Sequence, residues 1–495
     1  MSAALASLVR PPIARLTAVL LLARIASAFV VFQPGYTDAY YYADVAKRLA
    51  AGQGLTADFI WSFLEASGPL PVPSHRFWMP LATVLQAIGI KSLPFLDAFH
   101  AAQTIEILIA CCIPVVAYFA ARSLGASVNT GLVAAALAGL GGAFAPGWVS
   151  LDAFAPAAAI GTVFVLCYRR AAAGEVRWGV LAGVAVGLLF LARAEGALFG
   201  LALLALVRSP RTRRAGAAGS AVALLTGVAW LARDLSLGTQ PDVFGRSVLL
   251  VRYEDFFGAG STGWPPLDQW LAPKPAALVT NAVTFAFAFG LLLLPGLARA
   301  VWTRRDRADV RAFSALLVLV YLAESLVFTL HSTRGSYFHS LAAFVPFGVA
   351  LGVIGTGELL RTVERARVAA LGGVVAAVLV SGFALAAWDA SFNAPYRERV
   401  AAVAAIPPGP FFAIDAAAWR WITDRSVVVM PVTLPCSIRA YGATSLVLES
   451  AHFAAYQPLF DGGPRPDYFG EPTRVGGLAI YPIDPTRAIE CALIR

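Results

Sequence analysis

Asp38 stands in the run YTDAYYYADVAKRLAAGQG, just beyond the first long apolar stretch of the chain. A carboxylate where a membrane span meets water is costly to keep, and it suits a general base, a metal ligand or a helix cap. With Thr37 or Asp38 as N-cap, Tyr41, Val45 and Leu49 fall on one helical face and Asp44, Lys47 and Arg48 on another. That spacing predicts a helix lying along the membrane surface, whose N-terminal dipole favours the ionised carboxylate. Four further clusters mix acids, cations and aromatic rings. SHRFWMPLATVLQAIGIKSLP gathers His75, Arg76, Trp78 and Pro80 before a short apolar helix. APGWVSLDAFAPAAA puts Asp152 at the mouth of a span, and LFLARAEGALFG puts Arg193 and Glu195 where two short apolar helices meet. LHSTRGSYFHSLAAFVPF adds His331, Arg334, Tyr337 and His339. Taken singly, most of these are explained by caps, aromatic belts, snorkelling arginines or local ion pairs, but an aromatic belt does not account for His75 and Arg76.

The elements that carry these groups are membrane spans. Of the 495 residues, 59% are hydrophobic and 14% charged, with mean hydropathy +0.71. Apolar stretches approach the roughly 20 residues that cross a bilayer. They fall at 16–32, 100–122, 130–144, 154–168, 178–192, 197–207, 215–231, 277–301, 312–330, 337–356 and 368–388. The expectation is an all-α polytopic protein of about eleven crossings. The net charge of +9 sits at span ends rather than on one patch, which argues against nucleic acid as partner. Arginines concentrate on alternate loops, from Arg10 and Arg15 to Arg361, Arg365 and Arg367. The positive-inside rule puts those loops and the N-terminus in the cytoplasm. Asp38, Asp152, Arg193, Glu195 and Arg334 then all fall on the outer side. Ala26 and Ala28 also form an A-x-A-like cleavage site, but cutting there would detach the Asp38 loop from its anchor. Arg24, inside the first span, must meet other helices or water, or snorkel.

Acids and arginines sharing one outer cavity would suit a phosphate-bearing lipid. Guanidinium groups grip the phosphate, tyrosine supports them, and an acid activates an acceptor. His75 and His331 are the candidate ligands for a divalent metal, without the fixed spacing of a known metal motif. No P-loop pattern occurs. Residues 389–495 change character: SVVVMPV, SLVLES and GLAIYPI read as strands and 415–423 as a helix. The division expected is therefore a transmembrane domain over 1–388 and a small extracytoplasmic α/β domain over 389–495. Cys436 and Cys491 both lie in the latter, where a disulfide is permitted, while Cys111, Cys112 and Cys167 lie in spans as packing residues.

This arrangement resembles the GT-C superfamily of polytopic glycosyltransferases, in the branch of aminoarabinose transferases and protein O-mannosyltransferases. The resemblance covers residues 10–390 or so. The first-loop acid followed by Tyr40, Tyr41 and Tyr42 and AKRLAAGQGL looks like that group's catalytic loop. HRFWMPLATVLQAIG looks like its basic and aromatic segment, SLDAF like the second acid, LARAEG like a short hairpin, and ARDLSLGTQPDVFG like a late outer stretch. The resemblance implies inverting transfer of a sugar from a polyprenyl-phosphate donor to an extracytoplasmic lipid, glycan or protein at the plasma or inner membrane. Asp38 is then the general base, supported by Asp152. Arg193, Arg334 and Tyr337 hold the lipid phosphate, and Tyr41, Tyr42, His75, Arg76 and Glu195 complete the substrate site. Many relatives carry Asp-Glu in the first loop, where Ala39 follows Asp38 here, which weighs against a metal-dependent version. The rival readings are a transporter and a lipid-linked oligosaccharide flippase or polymerase. A transporter is expected to place its charges at the bilayer midplane and to show an inverted repeat.

Overall fold

The computed structural model describes residues 11–238, 247–257, 265–360, 362–431 and 434–488. Arg10, Arg361, Cys491 and the 239–245 part of the outer stretch lie outside the described residues. The chain divides into two compact units, the first made of Met1–Phe32, Trp78–Gly238 and Pro273–Trp388.

That first unit is helical. Its residues belong to, or begin, five helices long and apolar enough to cross a membrane: Pro12–Val30, Ala98–Ser123, Arg213–Ser236, Ser336–Leu360 and Val363–Ala405. Shorter apolar helices at Val128–Leu140, Val176–Ala192 and Ala194–Val207 match further stretches of the eleven-span reading, and Leu81–Ser92 is the short apolar helix expected after the HRFWMP segment. One stretch differs: 277–301, expected as a single crossing, is broken into Lys274–Phe289 and Leu294–Thr303, with a bend of 84°. Gly290 makes the break at φ 76°, a left-handed conformation open to glycine, and Pro295 then starts the next helix where its missing N–H costs nothing.

Helices in lipid gain little from apolar burial against each other and depend on close backbone approach. Val176–Ala192 and Arg213–Ser236 achieve it through small residues: a Cβ added to Gly183 would lie 2.2 Å from the Gly219 carbonyl oxygen. Arg24 is buried at 3% exposure and does not snorkel. Its guanidinium donates to the carbonyls of Gly139 (2.6 Å), Leu140 (2.8 Å) and Ala145 (3.2 Å). The first two belong to the C-terminal end of Val128–Leu140, whose last carbonyls lack helical partners.

The second unit is discontinuous: Gln33–Phe77, Thr239–Ala272 and Asp389–Arg495. The sequence division at 388 thus differs, because the first outer loop groups with the C-terminal segment. A six-stranded sheet is the reason. Its order is Phe59–Ile60, Val427–Val429, Phe411–Ala413, Ser445–Leu448, Leu478–Pro482 and Thr473–Val475. The first four strands are parallel, with Phe59 in register with Val427, and the last two pair antiparallel. Helices Ala416–Thr423 and Leu434–Tyr441 make the crossovers, as parallel strands require. Cys436 is disulfide-bonded, and Cys111, Cys112 and Cys167 are free thiols.

Two details of the loop helix also differ from expectation. Helix Thr37–Ala50 takes Tyr36 as N-cap, without a side-chain cap, so Asp38 sits in its first turn instead of capping it. Every residue from Ala39 to Ala46 is buried, Asp44 included. The helix is therefore a packed element of the second unit. Arg420, from Ala416–Thr423, compensates Asp44 at 3.6 Å.

Arg24→Met removes the guanidinium donor of the Gly139 and Ala145 carbonyls, at about 1–3 kcal/mol for each buried group, while the Leu140 carbonyl keeps the Ser381 hydroxyl as donor. The variant is expected to lower the unfolding midpoint in detergent by several degrees; an unchanged midpoint would show that the guanidinium carries no structural load.

Candidate functional site

In the second unit, Asp38 is half-buried in the first turn of Thr37–Ala50. Tyr41 and Tyr42, one turn further on, are 1% exposed. Both rings meet His75: Tyr42 stacks on it at 6.1 Å and Tyr41 approaches edge-on at 5.2 Å. The His75 backbone N–H donates to the Tyr41 hydroxyl, and His75 holds φ at 62°, rare for a residue with a side chain. The tyrosine run and the SHRFW segment, 34 residues apart, therefore form one cluster.

Glu65 joins them, and the sequence reading missed it. Its Oε1 accepts from the Tyr41 hydroxyl (2.9 Å) and the Arg76 N–H (2.9 Å), while Oε2 accepts from the Trp61 indole. Burial pushes the Glu65 carboxyl up to about 7, against the donors from Arg76, Tyr41 and Phe77, which favour its ionised form. Glu65 thereby fixes the backbone on which His75 and Arg76 sit. A lone acid in WSFLEASGP carries no motif; only its burial identifies it.

In the first unit, Asp152 is 1% exposed and lies 3.2 Å from Nδ1 of His339, whose ring packs on Phe154 at 4.2 Å. In the LHSTRGSYFH segment, His339 is therefore the histidine placed against the second acid. Arg193 forms a bidentate pair with Oε1 of Glu195, through Nε at 3.2 Å and Nη2 at 2.8 Å, and Nη2 also reaches the Ser336 hydroxyl at 3.0 Å. Ser340 donates to Glu195 (2.8 Å) or to Oε1 of Glu324 (2.9 Å), placing a second buried acid against the first. Glu324 in YLAESLVF was also missed, although an acid inside an apolar span is a functional signal by itself.

The structure thus joins Arg193 with Glu195, and Asp152 with His339. It separates Tyr337 from Arg334 in character: Tyr337 is fully buried with its ring 5.8 Å from Tyr321, whereas Arg334 is exposed.

Because Glu65 holds its proton in the folded protein up to about pH 7 but releases it near 4.5 when unfolded, its stabilising contribution is complete below 4.5. It is lost as pH rises through about 7, an effect of about 3 kcal/mol. Thermal midpoints between pH 4.5 and 8 are expected to fall more steeply for the wild type than for Glu65→Gln. Parallel slopes would assign the acid no such role.

No protein-family model matches the sequence, and no curated protein does. Solved structures do. ArnT from Cupriavidus metallidurans bound to undecaprenyl phosphate is 13% identical with a TM-score of 0.59, over 97% of this chain and 99% of that one. The Archaeoglobus fulgidus oligosaccharyltransferase tethered with an acceptor peptide is 12% identical with a TM-score of 0.53, over 87% of this chain and 68% of that one. Arabinofuranosyltransferase AftD from Mycobacteria is 14% identical with a TM-score of 0.53, over 95% of this chain and 41% of that one. Over nearly its whole length, this multi-pass chain therefore has the fold of the GT-C glycosyltransferases.

Proposed function

We propose that this chain is an integral membrane glycosyltransferase that moves a sugar from a polyprenyl-phosphate donor to an extracytoplasmic acceptor, with inversion and with Asp38 as general base. The observation that carries the reading is the likeness to ArnT bound to undecaprenyl phosphate over almost all of both chains. A second likeness, to archaeal AglB in complex with an inhibitory peptide and a dolichol-phosphate, supports the same donor class.

The step is one displacement. Asp38 takes the proton of the acceptor hydroxyl or amine as that oxygen or nitrogen bonds to the anomeric carbon. The bond from that carbon to the phosphate oxygen breaks on the opposite face, and its electron pair leaves on polyprenyl phosphate. Neutralising the charge on the departing phosphate makes it a good leaving group, so the protein's remaining task is to orient and deprotonate the acceptor. Arg193 and Arg334 are the cations assigned to the phosphate. In Arg193, Glu195 orients the guanidinium. Asp152 supports the base, and His75 and Arg76, held through Glu65 and the tyrosine pair, line the substrate side.

A divalent cation, where one takes part, is best served by Asp152 and His339, an oxygen and an imidazole donor 3.2 Å apart. It would supply charge to the phosphate. The N-terminus is assigned to the cytoplasm and the C-terminal segment to the outer side of the plasma or inner membrane, from the arginine-rich alternate loops.

The test is transfer from a panel of polyprenyl-phosphate sugars in proteoliposomes. Asp38→Asn is expected to lose about 10²–10⁴-fold in rate, the range of a general base, with polyprenyl-phosphate binding kept within a few fold. A folded Asp38→Asn protein that transfers at the wild-type rate would remove Asp38 from the chemistry.

A further inference from the structure

The sheet of the second unit reverses its winding between Phe411–Ala413 and Ser445–Leu448, since the intervening strand Val427–Val429 lies on the far side of the former. In open parallel sheets, the carboxyl ends of the strands at such a reversal form a crevice that takes ligands. Here two acids mark it, Asp415 just after one strand and Glu449 directly after the other. The chain's own Arg399 fills the space between them. Its Nη1 lies 3.1 Å from Asp415, and its Nε and Nη2 lie 3.1 and 2.8 Å from Oε2 of Glu449. The other Glu449 oxygen accepts from the Trp419 indole at 2.7 Å, so the acid is held at both ends.

Asp415 has a further partner. Its Oδ1 accepts from the Thr37 hydroxyl at 3.2 Å, and Thr37 immediately precedes Asp38. The helix that begins there has no side-chain cap of its own at Tyr36, and this contact ties the side chain of its first residue to Asp415. A second tie lies just upstream. Gln33 donates to Asn393 at 2.8 Å while its carbonyl oxygen accepts from the Gly35 N–H and the Tyr40 hydroxyl. The stretch 33–40 is therefore anchored on both sides of Tyr36 to residues after 389 in the chain.

We infer that Asp415, braced by Arg399 and Glu449, is a positioning residue that fixes the first turn of the helix bearing Asp38 through the Thr37 hydroxyl. The assignment rests on the reading of Asp38 as base for its catalytic consequence, but not for its structural one. A misplacement of about 1 Å in a catalytic group costs up to about a hundredfold in rate, so the effect belongs in kcat and leaves donor binding alone.

The experiment compares Thr37→Val, Thr37→Ser, Asp415→Ser and the Thr37→Val/Asp415→Ser double variant, all full-length in nanodiscs. Serine at 415 keeps the cap on Ala416–Thr423 but is too short to reach Thr37 or Arg399. Amide exchange is read at residues 40–43, whose N–H groups close the first helical turns, together with transfer kinetics. Expected for Thr37→Val and Asp415→Ser are exchange faster by about fivefold, kcat lower by about tenfold and donor KM within twofold. Thr37→Ser should restore both readouts, and the double variant should be no worse than Asp415→Ser alone. Folded single variants with wild-type exchange would overturn the inference, as would additive losses in the double variant. If Asp415→Ser does not fold, the Thr37→Val and Thr37→Ser pair decides by the same exchange and KM-against-kcat readouts. If the wild type transfers no sugar or Asp38→Asn stays fully active, the base assignment fails, and the exchange data still decide the clamp.

Discussion

Among the described residues, several buried charges are surrounded by partners from their own unit, and much of the polar architecture follows from the cost of burying them. Moving an uncompensated charge out of water costs several kcal/mol even after relaxation. Arg24 answers the cost with carbonyls at a helix end, Arg193 with one carboxylate oxygen that accepts twice, and Arg399 with two acids at once. Glu65 takes another route: surrounded by hydroxyl, indole and backbone donors, it still favours its protonated form at mildly acid pH. Each solution also immobilises a neighbouring segment, and in three of the four that segment carries, or directly precedes, a residue assigned to the chemistry.

This separates two kinds of polar residue that look alike in sequence. Glu195 is an acid at a hairpin, as Asp38 is an acid at a helix start. Glu195 is bound by Arg193, Ser336 and Ser340, so its charge serves to aim a guanidinium. Asp38 remains half-exposed at the positive end of a helix whose remaining turns are buried. Rigid surroundings around an accessible carboxylate are what a base needs, because the acceptor must meet it without first reorganising the protein.

What the sequence made legible is what depends on local pattern. Apolar stretches located most helices of the first unit, and alternating β-branched runs located Val427–Val429, Ser445–Leu448 and Leu478–Pro482. Asp415 was visible as the start of a helix. What depends on distant partners was not legible. Phe59–Ile60 is too short to read as a strand, and it becomes one only because Val427–Val429 offers an edge over 360 residues later. The amphipathic pattern of Thr37–Ala50 reports polarity and not which groups will compensate it. Arg420 is what allows Asp44 to be buried. The bend at Gly290 left no mark in hydropathy, since leucines flank it on the C-terminal side as they would inside a continuous span.

The late position of those partners has a consequence for how the candidate base acquires its place. Gln33–Phe77 contains one helix of 14 residues and strands of two residues each, elements that are marginal in isolation. Their stabilising contacts come from Val427–Val429, Asp415 and Arg420, which are synthesised late. Contacts so distant in sequence carry a high loop-closure cost and form slowly. The loop that emerges first from the first span therefore depends for its order on contacts with segments made late in synthesis, and the helix that carries Asp38 is tied to the C-terminal segment through Thr37.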